Sequence, residues 1–70
     1  MAWDHRHAMR LAEQGMWAQR LLRTKLRGVS GELAARVEVL MVQKRAAYEA
    51  RNMKRYEEAI QAMVHHARTL

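Results

Sequence analysis

The chain has 70 residues, is half apolar, contains no cysteine and no proline, and carries a formal charge of +6. A chain this short forms a single domain, 1–70, and buries too little apolar surface to be comfortably stable alone, which favours self-association or a partner. Without cysteine it supports neither disulfides nor thiol chemistry, and no apolar run approaches the roughly 20 residues that cross a bilayer, so it reads as soluble and cytoplasmic, with no membrane role.

The apolar content sits in Ala, Leu, Met and Val, with no Phe and only two Trp and two Tyr. These are good helix formers. With three glycines as the only breakers, sheets and long loops lack raw material, and an all-α class follows. The charge is spread evenly, three net positives in residues 1–35 and three in 36–70, so no basic tail is set apart. Such a balance attracts anionic partners without choosing among them.

Helix 1 is expected over about 4–27, begun by the Asp4 carboxylate as N-cap and ended by Gly28 in the left-handed position. Residues 3–27 are Arg-rich and amphipathic, as organelle transit peptides are, but poor in Ser, and are more simply the first helix of a fold. Ala8, Leu11, Gly15, Ala18, Leu22 and Leu26 centre the apolar face, flanked by Trp3, Trp17 and Leu21 on one side and by Met9, Ala12 and Met16 on the other. That arc is wider than one neighbouring helix requires. Gly15 is costly inside a helix and implies a close approach, by the second helix backbone or by the stem of Lys44. The basic residues Arg20, Arg23, Lys25 and Arg27 complement the negative end of the helix dipole.

The turn is placed at 28–31, with Ser30 capping helix 2. A link this short sets the two helices antiparallel, with Leu26 near Leu33, Leu22 near Val37 and Ala18 near Leu40. Helix 2 is expected over about 31–69. An apolar seam of period 3.5 runs from Ala35 through Val39, Val42, Ala46, Met53, Tyr56, Ile60, Met63 and Ala67 to Leu70, interrupted only by Glu49, a polar residue suited to fixing register. One architecture is a helical hairpin whose continuous second helix, about 60 Å long for about 40 residues, pairs its overhang with a second copy in a dimeric bundle. The alternative bends at 51–53, near Asn52, and folds residues 53–70 back as a third helix of a three-helix bundle. The unbroken phase across Asn52 favours the continuous helix.

Ala47 and Tyr48 followed by Tyr56, Glu57, Glu58, Ala59 and Ile60 resemble part of a tetratricopeptide repeat, without that family's glycine and without a recurring period. The resemblance implies helices that bind helices.

The four histidines form two pairs, His5 with His7 and His65 with His66. Spacings of two and one do not set both members of a pair on one helix face, so no metal site is assigned within the chain; a site shared between chains is a third reading. The carboxylates mostly sit one turn from a cation, as Glu32 with Arg36, and Ser30 is the only serine, so neither catalytic residues nor a cofactor site is assigned. The methionines Met9, Met16, Met41, Met53 and Met63 suit an adaptable partner surface or a core. Arg20, Arg23 and Arg27, with Lys44, Arg51, Lys54 and Arg55, form two basic stripes that could contact phosphates, although Trp3 and Asp4 lie where they could occupy Arg51 and Arg55. The residues point first to a non-enzymatic helical interaction module, self-associating as a homodimer and offering a Met-rich apolar groove with basic margins to an acidic or amphipathic partner. A basic nucleic-acid binder is the alternative.

Overall fold

A computed structural model describes residues 2–70. It contains three α-helices, α1 (His5–Lys25), α2 (Glu32–Glu49) and α3 (Met53–Thr69), and no strand among the described residues. The expected all-α class is found.

Each boundary has a local cause. Asp4 takes an extended conformation and its Oδ1 accepts from the His7 amide at 3.2 Å, satisfying one of the free donors at the start of α1. α1 ends at Lys25, two residues before the expected Arg27, and Gly28 (φ +72°) follows in the left-handed conformation. Ser30 does not cap α2. Gly31 does so without a side-chain bond, at φ +129°, a conformation open only to glycine in practice.

The expected continuous second helix over 31–69 is not what forms: α2 stops at Glu49 and α3 starts at Met53, leaving residues 50–52 non-helical, which overlaps the break at 51–53 given by the alternative. The Arg51 amide donates to the Tyr48 carbonyl (3.1 Å) and the Asn52 amide to the Ala47 carbonyl (2.9 Å), the paired bonds of a Schellman ending. The left-handed residue is Arg51 (φ 54°), where glycine is usual, and not Asn52. Asn52 is extended, because its side chain is needed elsewhere: Oδ1 accepts from the Arg55 amide at 3.1 Å and caps α3. Arg51 is held by its own side chain. Its guanidinium lies 4.7 Å from the Tyr48 ring centre and 5.3 Å from that of Trp3, and its Nη1 donates to the Tyr48 carbonyl at 3.0 Å.

The reversal lays α3 against both other helices, while α1 and α2 meet each other only sparsely. The core is therefore centred on α3. Leu11 and Leu22 of α1 and Ile60 and Met63 of α3 are its largest fully buried side chains, joined by Val37 and Ala47 of α2 and by Met53, Tyr56, Val64 and Ala67. The helix-1 to helix-2 pairing expected from the short turn is thus largely replaced by two interfaces with α3. Gly15 shows why the approach is close. A β-carbon there would lie 2.6 Å from Ile60 Cδ1, whereas the Lys44 stem is at an ordinary 4.0 Å. The glycine accommodates a third helix and not the second backbone.

At the end where α1 begins, the rings of Trp3, Tyr48 and Tyr56 sit in mutual contact with centres 5.5–5.6 Å apart, joining the N-terminal segment to α2 and α3. His7 Nε2, 3.2 Å from Glu57 Oε2, makes a second link between α1 and α3 at this end.

Candidate partner surfaces

The fold divides the apolar seam into two unlike surfaces. Its α3 portion, Met53, Tyr56, Ile60, Met63 and Ala67, is buried against the chain's own α1 and α2, and Leu70 is left exposed at the end. Its α2 portion stays outside: Val39 is 52% and Val42 68% exposed, and Ala35, Ala46 and Glu49 are exposed with them. α2 buries only Val37 and Ala47, so its apolar residues are distributed around the helix. A helix that is apolar on two sides has surface for more than one neighbour.

A second exposed apolar group lies on α1. Met9, Met16 and Trp17 are 55%, 57% and 48% exposed, while Ala12 and Leu21 are half-buried beside them. Residues 9 and 16 are seven apart and share a helix face, with Trp17 at its edge. Glu13, Met16, Trp17, Arg20, Leu21 and Thr24 line a shallow depression here. α1 carries Arg6, Arg10, Arg20, Arg23 and Lys25 against Glu13 as its sole carboxylate, so the surroundings of this face are positive.

The third surface is a groove between α2 and α3 with a small-residue floor of Ala46, Ala47, Ala50 and Ala59 and a rim of Gln43, Lys54, Arg55 and Glu58. Methionine does not line it, and the exposed methionines lie instead on α1. This distribution was hidden in the sequence because Met53 and Met63 share the spacing of core residues.

The residues of the two basic stripes are not equivalent in space. Arg20, Arg23 and Arg27 are exposed along and just beyond the end of α1, and Lys54 and Arg55 are exposed on the first turn of α3. Arg51 is stacked on Trp3 and Tyr48, as the nearby tryptophan suggested, and Lys44 is half-buried with Nζ donating to Gln19 Oε1 at 2.9 Å. Burial holds the Lys44 ammonium below its ordinary pKa, and the charges of Arg45 and Arg23 push it the same way. Lys44 thus sits among cations. The second stripe consequently offers separated charges and no continuous track.

Glu32 and Arg36 form the expected pair at 3.3 Å, exposed at the start of α2. Glu49, expected on the seam, is the exposed last residue of α2. The rings of His65 and His66 are adjacent, with centres 5.8 Å apart, and no group of three or more His, Cys, Asp or Glu side chains placed to hold a metal ion occurs among the described residues. No described helix is long and apolar enough to cross a membrane. No protein-family model matches the chain, and neither the curated proteins nor the solved structures contain a significant match to it.

Proposed function

We propose that this chain is a non-enzymatic helical interaction module, one that self-associates and engages an acidic, amphipathic helix along the outer face of α1. The observation that carries the reading is the exposure of Met9, Met16 and Trp17 on one helix whose charged residues are almost all cationic. Methionine adapts its shape to an incoming helix, the tryptophan provides a large rigid contact, and the arginines select a negatively charged partner. A surface of this kind suits a small adaptor, regulator or inhibitor.

The test uses a defined probe: a synthetic helical peptide with leucines at i, i+3, i+4 and i+7 and glutamates elsewhere. Binding is expected to shift Trp17 emission to the blue, and Trp17→Phe is expected to remove that response although Trp3 remains. Replacing the peptide glutamates with lysines should weaken binding by about tenfold or more. Met9→Glu combined with Met16→Glu should abolish it with the helical spectrum intact. No binding at about 1 mM peptide, the bottom of the range of useful affinities, would overturn the reading, as would equal binding of the lysine peptide.

A further inference from the structure

The exposed seam on α2 is self-complementary in one arrangement only, and the geometry points to a second copy of this chain docking there with the two α2 helices antiparallel. This inference rests on the interaction-module reading and specifies the face and register of its self-association.

In heptad terms Ala35 and Val42 occupy d positions and Val39 and Ala46 occupy a positions, a pattern of alternating four- and three-residue steps that keeps all four on one side of the helix. All four are exposed, and α3 packs against the other side of α2, so Val39 and Val42 at the centre of the stripe have no neighbour within the chain, while Ala46 at its end borders the groove between α2 and α3. Two charged residues border it at the g positions, Glu38 and Arg45, both exposed and neither among the ion pairs formed within the described residues. They are opposite in sign and seven residues apart, hence on the same edge.

When two such helices run antiparallel, g positions face g positions. One register sets Val39 against Val42 of the second copy and Ala35 against Ala46, giving two valine layers at the centre and an alanine layer at each end. The same register brings Glu38 beside Arg45 of the second copy, and by the two-fold axis it does so twice. The edge formed by Arg36 then meets the uncharged Gln43. Sliding by one heptad in either direction places Arg45 against Arg45 or Glu38 against Glu38. A parallel pair would face Glu38 with Gln43 and Arg45 with Ala50, with no ion pair at all. Charge therefore selects both direction and register, which hydrophobic residues of similar size would leave open.

The seam is bounded by Glu32 and Glu49, both exposed, and Glu32 is already paired with Arg36 at 3.3 Å. Four layers on one helix pair make a small contact, which belongs with weak, transient interfaces and implies association in the micromolar range.

Sedimentation equilibrium of the full chain from about 5 to about 500 µM, a span that covers weak interfaces, tests the inference. A monomer–dimer equilibrium is expected. Glu38→Arg and Arg45→Glu should each raise the dimer dissociation constant about tenfold or more by placing like charges together, and the combined E38R/R45E chain should recover dimerisation. V42E should abolish it. Circular dichroism of each variant checks that the helices persist, and all three positions are exposed, so the monomer fold should tolerate them. A monomer throughout the range would overturn the inference, as would a dimer unaffected by V42E or one that the charge exchange fails to restore. The acidic peptide is titrated against V42E in parallel. Retained binding by a monomeric V42E isolates the dimer from the module reading, and loss of peptide binding by the wild-type chain refutes the module reading independently.

Discussion

Replacing Gly15 with alanine opposes two quantities of similar size. In a helix interior the substitution gains about 1 kcal/mol of propensity. The new methyl, however, would stand 2.6 Å from Ile60 Cδ1, and Ile60 is fully buried with Leu11, Leu22 and Met63. Either the isoleucine leaves its rotamer or α3 moves outward, overpacking that costs roughly 1–3 kcal/mol. The second effect is larger, so Gly15→Ala should destabilise the chain by about 1 kcal/mol net. Ile60→Val removes the colliding carbon at a cost of about 1 kcal/mol, and in that background Gly15→Ala should stabilise by about 1 kcal/mol as propensity acts unopposed. The cycle thus has a coupling of about 2 kcal/mol and a change of sign. Urea unfolding followed by far-ultraviolet circular dichroism measures all four chains. If Gly15→Ala stabilises the native background, or changes both backgrounds equally, the close approach of α3 to α1 does not limit this position.

Three further predictions concern the ends of the helices and the titrating groups. Asp4→Ala and Asn52→Ala should each cost about 1 kcal/mol by thermal or urea unfolding, because each removes the side-chain acceptor of a helix start. Arg51→Ala should be less stable than Arg51→Gly by about 1 kcal/mol, since both lose the stack on Tyr48 and Trp3 but only alanine retains the left-handed penalty at φ 54°. Urea midpoints measured at alkaline pH should show two opposed slopes. Burial, followed by the charges of Arg45 and Arg23, holds the Lys44 pKa below its unfolded value, so its contribution rises with pH from the folded pKa up to the ordinary 10.5. Burial, followed by Tyr48, raises Tyr56, so the unfolded state ionises first and stability falls from about pH 10.0 upward through the folded pKa. Lys44→Met should remove the rise, and Tyr56→Phe the fall.

What the sequence disclosed was mostly local. Asp4 as a cap, Gly28 in the left-handed region and the Glu32–Arg36 pair depend on residues within about one turn, where spacing is decisive. The break after α2 was only an alternative, for two physical reasons. The left-handed residue is an arginine stabilised by aromatic rings distant in sequence, and three non-helical residues leave the apolar phase almost undisturbed across Asn52. The seam residues were identifiable as apolar from their period. Which of them would be covered was not, because Ile60 and Val42 have the same local pattern and differ only in what the reversed α3 packs against. The close neighbour of Gly15 was misassigned for the same reason.

The placement of α3 has a consequence for how the chain comes apart. Because α1 and α2 touch so little directly, a fragment that ends near residue 51 should not by itself retain a folded pair of helices. The converse also holds. A separate peptide carrying Met53–Thr69 presents the whole inward-facing surface on one amphipathic segment. Supplied to the remainder, it should restore helicity to both fragments by complementation, so that structure can be switched on by mixing.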